Sequence, residues 1–500
     1  MSKRVIVIGG GASGMTAAIF AARQGAAVTL LEHMDRVGKK ILSTGNGKCN
    51  LTNRRMDASC YRSNAPGFPM EVLGRFGEPE TEVFFEELGI VLKDRNGYLY
   101  PASGQASSVL DALREELSRL GVTIVTECGE AEVAAPGSGK GGNQEWTVLC
   151  KKGRFCSDAL ILAAGSKAAP STGSDGSGYE YARQLGHSII KPLPALVQLR
   201  CQGNMYKQIA GIRTEAEVSL QADGITLAKD KGELQITDYG LSGIPVFQVS
   251  RYAARALDEK KKVRVYVDFM PGWDKSESFR LLKKRALLLA YKPAAELFTG
   301  MLNRKLAQVL LKLAGIDGNI SCGSLTGKQL EKICKELKEY EAVVMSVNPF
   351  ANAQVCCGGV DTNEIDETTM ESRLCPGLYM AGEILDVDGI CGGYNLQFAW
   401  SSGLIAGRCA AGSAGKQEMK TEPEKWEKKQ PGQRNPQKRN TGKKSVEKKN
   451  IEKKSVEKKN IEKKNIEKNR NVNTKQMEKK TVKKYPEKKY TQKTRRTART

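Results

Sequence analysis

The sequence predicts an α/β chain in which a three-layer, Rossmann-like nucleotide domain is interrupted by a β-rich and helical insertion and followed by a disordered basic tail. Three observations carry that reading. A strand, a glycine-rich turn, a helix and a second strand open the chain. Strand, glycine turn and helix recur near residues 378–410. Between them, past Pro192 and Pro194, the pattern changes to short strands and then to amphipathic helices. The expected boundaries are 1–190 and 346–412 for the two parts of the nucleotide domain, 191–345 for an inserted substrate or cap domain, and 413–500 for the tail.

Residues 5–8 are an unbroken apolar run ending at Gly9-Gly10-Gly11-Ala12-Ser13-Gly14, which is how a strand buried on both faces reads. An Ala-rich stretch from Met15 to about Gln24 has the residues and spacing of a helix, and 27–31 is a second strand ending at Glu32. A helix over about 107–120 leads into a strand at 122–125, and strands follow near 131–134, 146–150 and 159–162. In the insertion, 217–221 and 263–269 read as strands, and Leu and Lys spaced for amphipathic helices fill 276–340. Strand character returns at 341–347 and again at 378–381, before the last glycine turn and helix.

The net charge of +23 suggests a nucleic-acid binder only until the charge is located. Residues 416–500 hold 31 Lys and Arg against 11 Glu and no Asp, whereas residues 1–415 hold 48 basic and 45 acidic residues. The body is therefore ordinary in charge and implies no polyanionic partner. The tail contains SVEKK and NIEKK pentads from Ser445. A five-residue period advances about 140° per repeat on a helix, so its one apolar residue builds no face, and the segment reads as disordered. Trp426, Tyr485 and Tyr490 are too few for a base-stacking platform, so the tail predicts at most weak, salt-dependent binding to nucleic acid or an anionic surface. Thirteen scattered cysteines without a CxxC pair suit a reducing compartment and supply no zinc site. The short apolar run at the start lacks a cleavage site, and nothing reaches the roughly 18 apolar residues of a membrane span. The expectation is a cytoplasmic protein with no membrane partner and no metal.

The chemistry is concentrated in the glycine fingerprint and in three later glycine-containing turns. Gly9 makes the tight turn, Gly11 lets backbone approach a pyrophosphate, and Gly14 permits close helix packing, with Ser13 in the same set. The helix start stabilises negative charge, and Glu32 stands where a carboxylate accepts from adenosine ribose hydroxyls, which favours FAD or NAD over NADP. FAD and NAD are separated by the polar, cationic stretch after the βαβ unit, where Lys40 would lie near phosphate and Gly45, Asn46 and Cys49, within 45–50, near an isoalloxazine ring. Gly165 ends a strand and turn of the kind that pass near FAD, and Val133 lies in a strand that would meet the adenine edge. Near the end, Gly382-Glu383 would bind ribityl hydroxyls, while Gly393, Asn395 and Leu396 at a helix start would face the flavin pyrimidine and stabilise the reduced ring.

Over residues 3–412 the chain resembles the BaiN-like family of FAD-dependent oxidoreductases, also described as aminoacetone-oxidase-like flavoproteins. The resemblance rests on GGGASG, TGNGKCN at 44–50, Tyr100-Pro101-Ala102-Ser103, PLPALV at 192–197, TDYGLSG at 237–243, Gly358-Gly359-Val360 and AGEILDVDGICGGYNLQFAWSSG at 381–403. It implies a Rossmann-like FAD domain with an insertion, and FAD on the residues just named. The chain departs from the family pattern at Asp238, where His is usual, and at Tyr98, where Arg follows the glycine. Because such relatives carry out both reduction of conjugated steroid enones and oxidation of a small aminoketone, the resemblance leaves the substrate open.

Two absences narrow the mechanism. No second strand-GxGxxG-helix follows Gly165, and 137–142 is a glycine-rich polar loop with no strand before it, so NAD(P)H would bind only transiently over the flavin. Cys49 lacks a partner cysteine, Cys356-Cys357 read as buried thiols, and His33 and His187, the two histidines, do not read as catalytic; no catalytic acid or base stands out. The leading expectation is an FAD-dependent oxidoreductase moving a hydride between flavin and an organic substrate, with NAD(P)H-dependent reduction of an activated C=C ahead of amine or aminoketone oxidation. A flavin-containing RNA-associated protein is the reading from a different class.

Overall fold

The computed structural model describes residues 2–137 and 145–412. The expectations for 138–142 and for the basic tail lie outside the described residues. The opening βαβ unit forms the middle of a five-stranded parallel sheet in the order Leu378–Met380, Ala159–Leu162, Arg4–Ile8, Ala27–Leu31, Thr123–Val125. Val5 to Ile8 and Ala159 to Leu162 are buried, as the apolar runs require of central parallel strands. An antiparallel sheet of Ala131–Ala134, Trp146–Cys150 and Gly153–Ser157 adds a second layer to the same core, where Trp146 and Val148 are fully buried.

The helices Ala12–Arg23 and Tyr394–Ala410 complete the layers by packing against each other almost backbone to backbone. A methyl group on Gly403 would lie 2.4 Å from the Ser13 carbonyl oxygen, and one on Gly407 would lie 2.2 Å from that of Ala17. Residues four apart share a helix face, so this glycine pair is what permits the approach. It joins the start of the chain to residues nearly 400 positions later.

The insertion is a closed six-stranded barrel, ordered Leu199–Cys201, Gly240–Gly243, Ile225–Thr237, Arg213–Ala222, Val263–Asp268, Tyr340–Val347. Ala216, Val218, Leu220 and Ala222 are buried and alternate with residues that are not, and Val263, Val265 and Val267 do the same. These side chains form a core of their own with the helices Ile244–Asp258, Lys275–Leu288, Arg304–Leu313 and Gly327–Lys338. The chain enters through Ile189–Ala195 and leaves through Val355–Val360, and these two strands pair antiparallel as a two-stranded sheet. Pro192 and Pro194 are tolerated there because each lacks an N–H that a more central strand would need.

Three local differences from the sequence expectation have physical reasons. The first helix starts at Ala12 because Gly11 is its N-cap, three residues before the apolar run begins. The stretch expected as a polar loop contains a short helix, Lys39–Ser43, and a 3-10 turn, Thr44–Gly47, set by positive φ at Gly38, Gly45 and Asn46. The strand Ile225–Thr237 gives no apolar alternation because its outer face is charged and only Leu234 and Ile236 in it are fully buried.

His187 is a structural residue. Its Nδ1 lies 2.8 Å from Glu364 Oε2 and its Nε2 lies 2.8 Å from Ser372 Oγ, with the ring buried. Burial lowers its pKa below the ordinary value, against the opposing effect of Glu364. The unfolded chain therefore binds the proton more readily, so this contribution is present at pH above about 6.5 and is lost as the pH falls toward the folded value. The thermal midpoint is expected to fall on acidification from pH 7 to pH 5, and His187→Gln should flatten that slope; an unchanged slope in the variant would assign the acid sensitivity elsewhere.

Candidate functional site

The three fingerprint glycines meet different surroundings. Gly9 has φ +105°, donates from its N–H to the Leu31 carbonyl at 2.8 Å, and would put a methyl group 2.4 Å from the Ala163 oxygen. A methyl group on Gly14 would lie 1.8 Å from the Gly9 oxygen, so the helix sits directly on the turn. Gly11 has nothing within 4 Å of where its methyl group would be. Its helix has no side-chain cap, and no acidic residue lies in the first turn. Close packing on two sides and open space on the third form a cradle at the helix start, where backbone N–H groups await an acceptor.

Glu32 borders this cradle. Its Oε2 accepts from Gly10 N–H and its Oε1 from Met34 N–H, both at 2.8 Å, and the residue is buried. Gly173, which has positive φ, would place a methyl group 3.7 Å from Glu32 Oε1 and 3.0 Å from the Met34 side chain, so a residue far along the chain forms part of the same wall.

Lys40 and Glu383 form an ion pair. Lys40 Nζ and Glu383 Oε2 are 2.5 Å apart, and Ser166 Oγ donates to the same carboxylate oxygen at 3.2 Å. Both side chains are about one-fifth exposed, so the pair borders an opening. Gly165 supplies the positive φ that turns the chain toward Ser166, whose N–H is held by Ser174 Oγ at 3.0 Å. Gly382 has φ +78°, and a methyl group there would strike Ser13 Oγ at 2.3 Å. Ser13 Oγ in turn donates to the Ala381 carbonyl at 3.2 Å. Gly9, Gly11, Ser13, Gly14, Glu32, Lys40, Gly165, Gly382 and Glu383 are thus brought into one region by these contacts.

The start of the 394–410 helix is tied to the segment that follows the 45–50 turn. A methyl group on Gly393 would lie 2.8 Å from the Thr52 backbone, Asn53 Nδ2 donates to the Gly392 carbonyl at 3.0 Å, and Trp400 Nε1 donates to the Leu51 carbonyl at 3.0 Å. Thr52 Oγ1 donates to Gln397 Oε1 at 2.5 Å, inside the core. These links hold residues 51–53, which directly follow the 45–50 segment, against Gly392, Gly393 and the helix that Asn395 and Leu396 begin. Asn395 does not leave its amide free: Oδ1 accepts from Gly389 N–H at 2.8 Å and Nδ2 donates to Gly389 O at 2.9 Å. Asn50 Oδ1 is buried without a hydrogen-bond partner, the condition of a group that awaits one. The Cys49 thiol is buried, and burial pushes its pKa up to about 12, so its side chain is a neutral wall element.

Val133 lies on the antiparallel sheet, opposite Val148, and packs against the same core. Of the two family departures, Asp238 is exposed in the turn between Ile225–Thr237 and Gly240–Gly243. Tyr98 borders the site: its ring would lie 2.6 Å from a methyl group on Gly392. Sequence reasoning missed Ser166, Ser174, Thr52, Gln397 and Ser402, whose Oγ accepts from Gly382 N–H at 2.9 Å; these hydroxyls and the amide carry no spacing signal. It also missed Gly403 and Gly407, for which a small-x-x-x-small pattern was available.

A family model described as the HI0933-like protein Rossmann domain matches residues 3–409. The chain is 47% identical over 410 residues to a 3-dehydro-bile acid delta(4,6)-reductase of Clostridium scindens, covering 82% of this chain and 99% of that protein. It is 29% identical over 402 residues to a ribosomal RNA dihydrouridine synthase of Escherichia coli, covering 79% of this chain and 95% of that one. Among solved structures, a 3-ketosteroid delta1-dehydrogenase from Sterolibacterium denitrificans aligns over 82% of this chain and 100% of its own, with 12% identity and a TM-score of 0.43. Among the described residues, no helix is long and apolar enough to cross a membrane.

Proposed function

Because the chain belongs to the HI0933-like Rossmann-domain family and is a flavin-dependent oxidoreductase, we propose that its reaction is reduction of a C=C conjugated to a ketone, on a steroid-like substrate, with NAD(P)H as donor. The observation that carries the cofactor assignment is the contrast between the blocked positions at Gly9 and Gly14 and the open one at Gly11. A pyrophosphate fits where only Gly11 leaves room, with uncapped N–H groups as donors. Glu32 holds ribose hydroxyls, Lys40 and Glu383 hold the phosphate and ribityl region, and 45–50 with Gly393, Asn395 and Leu396 line the isoalloxazine; Asn50 Oδ1 is an acceptor without a donor there. Val133 is kept only as an outlying contact to the adenine edge.

A bound FAD supplies two-electron hydride chemistry that no side chain can perform. The protein's own part is orientation and electrostatics. The helix start at 394 places positive dipole near the ring's polar edge. Cys49, held neutral by burial, is no redox partner, and Tyr98 sits at the mouth on Gly392. The substrate assignment rests on the similarity to the bile acid reductase, which extends over nearly all of that protein.

The test is anaerobic. The purified protein is expected to show flavin absorbance that bleaches with NADH or NADPH and recovers on adding a 3-oxo-Δ4 steroid, with slow recovery in air. Bleaching by an aminoketone with fast recovery in air would favour the oxidase instead. A second reading, reduction of the conjugated C=C of a uracil ring in RNA, is favoured by the basic composition of 416–500 and by the similarity to the dihydrouridine synthase. Recovery of absorbance with RNA, and none with the steroid, would select it. Deleting 416–500 should then lower RNA affinity without changing flavin reduction.

A further inference from the structure

The junction between the barrel and the flavin domain is built on one face of the helix Ile244–Asp258. Gln248, Arg251, Tyr252 and Arg255 lie at positions i, i+3, i+4 and i+7, and all four are directed at two short segments of the flavin domain. Arg251 holds Asp388 with two parallel hydrogen bonds, Nε to Oδ2 at 2.7 Å and Nη2 to Oδ1 at 2.8 Å. Cys391 N–H donates to Gln248 Oε1 at 2.9 Å, and Arg62 Nε donates to Tyr252 OH at 2.8 Å. Arg62 and Asp388 are themselves opposite each other in the two-stranded ladder of Tyr61–Arg62 with Asp388–Gly389. Arg255 stands 3.9 Å from Asp386, whose other oxygen accepts from Asn64 N–H at 2.8 Å.

The pair Arg251–Asp388 is nearly solvent-free, with side chains 14% and 4% exposed. A buried ion pair is weak evidence of stabilisation, because an apolar pair of the same volume often does as well; its best-attested use is to fix one register. What it would fix here is visible in the chain. Asp388 precedes Gly389, and Gly389 is clamped at both its N–H and its carbonyl by the Asn395 side chain, in the first turn of the 394–410 helix. Cys391, held by Gln248, is three residues before that helix.

We propose that Arg251, with Gln248 beside it, is a positioning residue: by fixing Asp388 and Cys391 it aligns the start of the 394–410 helix, so that the seating of the barrel sets how strongly that helix start stabilises the reduced flavin. The inference rests on the flavin reading above, which places the ring's pyrimidine edge at Gly393 to Leu396.

The readout is the two-electron reduction potential of the FAD-loaded full chain. Arg251→Met alone leaves a buried carboxylate without its partner and risks misfolding. The informative variants are therefore Arg251→Met with Asp388→Asn, which removes both charges, and the milder Gln248→Ala. The double variant is expected to stay folded, keep FAD and show a potential lower by the equivalent of about tenfold in the reduction equilibrium, about 30 mV for a two-electron couple. Gln248→Ala should shift it in the same direction by about threefold. Folded, FAD-loaded variants with the wild-type potential would overturn the proposal even if their thermal midpoints fell, since that is the signature of a purely structural contact. Wild-type protein that takes up no flavin would instead overturn the reading beneath it.

Discussion

Alanine at Gly14 is expected to prevent recovery of folded, FAD-loaded protein, whereas alanine at Gly11 leaves the fold intact and removes the cofactor. The two substitutions are chemically identical and three residues apart. At Gly14 the new methyl group would lie 1.8 Å from the Gly9 oxygen, far inside van der Waals contact. The helix would have to move by more than 1 Å, but its other side is held by the backbone contacts of Gly403 and Gly407 with Ser13 and Ala17. Overpacking in a less constrained core costs about 1–3 kcal/mol. Here no flexible side chain can yield, so a cost above that range, set against a typical stability of about 5–15 kcal/mol, is expected. At Gly11 the backbone has φ −81°, which alanine adopts freely, and the methyl group enters open space. That space is where the proposed reading puts the pyrophosphate, so FAD affinity should fall at least about tenfold, about 1.4 kcal/mol, with the apo thermal midpoint within a few degrees of wild type. Soluble yield, flavin absorbance after desalting and melting of the apo forms would check both. A Gly11→Ala protein that retains FAD like the wild type would move the pyrophosphate away from the helix start.

The difference between those two glycines marks what was legible in the sequence. The turn, the helix and the carboxylate at Glu32 were readable because all lie within one local βαβ unit, where spacing and periodicity carry the information. The barrel was readable only as short strands. Its closure depends on pairings such as Leu199 with Val347 and Glu217 with Asp268, which local pattern does not encode, and its longest strand shows solvent a charged face. In the site, Lys40 and Glu383 were each singled out, but 343 residues separate them and nothing in the sequence showed that they touch. Asn395 was expected to face the flavin. The structure ties its side chain to Gly389, so under the proposed reading the facing groups would be the backbone amides around Asn395 and Leu396. The strand carrying Val133 was legible, and it pairs through Val133 with Val148, but the sequence does not encode what that sheet faces.

Glu32→Gln is expected to cost more than its near-identical shape suggests, and the reason separates a structural from a cofactor role. Each carboxylate oxygen accepts from a backbone N–H at 2.8 Å, Gly10 on one side and Met34 on the other. An amide can present one oxygen only, so its NH2 group must face the second N–H, donor against donor, in a buried place. A buried group left unsatisfied costs about 1–3 kcal/mol. Glu32→Ala leaves both N–H groups without an acceptor but makes room for water, so the two variants should be destabilised to a similar degree in the apo form. Toward FAD they should differ. A ribose hydroxyl can donate to the amide oxygen of the Gln variant or accept from its NH2, whereas the Ala variant offers neither. FAD affinity measured on folded protein should therefore fall in the order wild type, Gln, Ala, with Ala weakest by at least about tenfold. Equal affinities across all three, alongside lowered apo melting, would show that the carboxylate serves only to fix the Gly10 and Met34 turns, and the adenosine would have to be sought on another wall of the cradle.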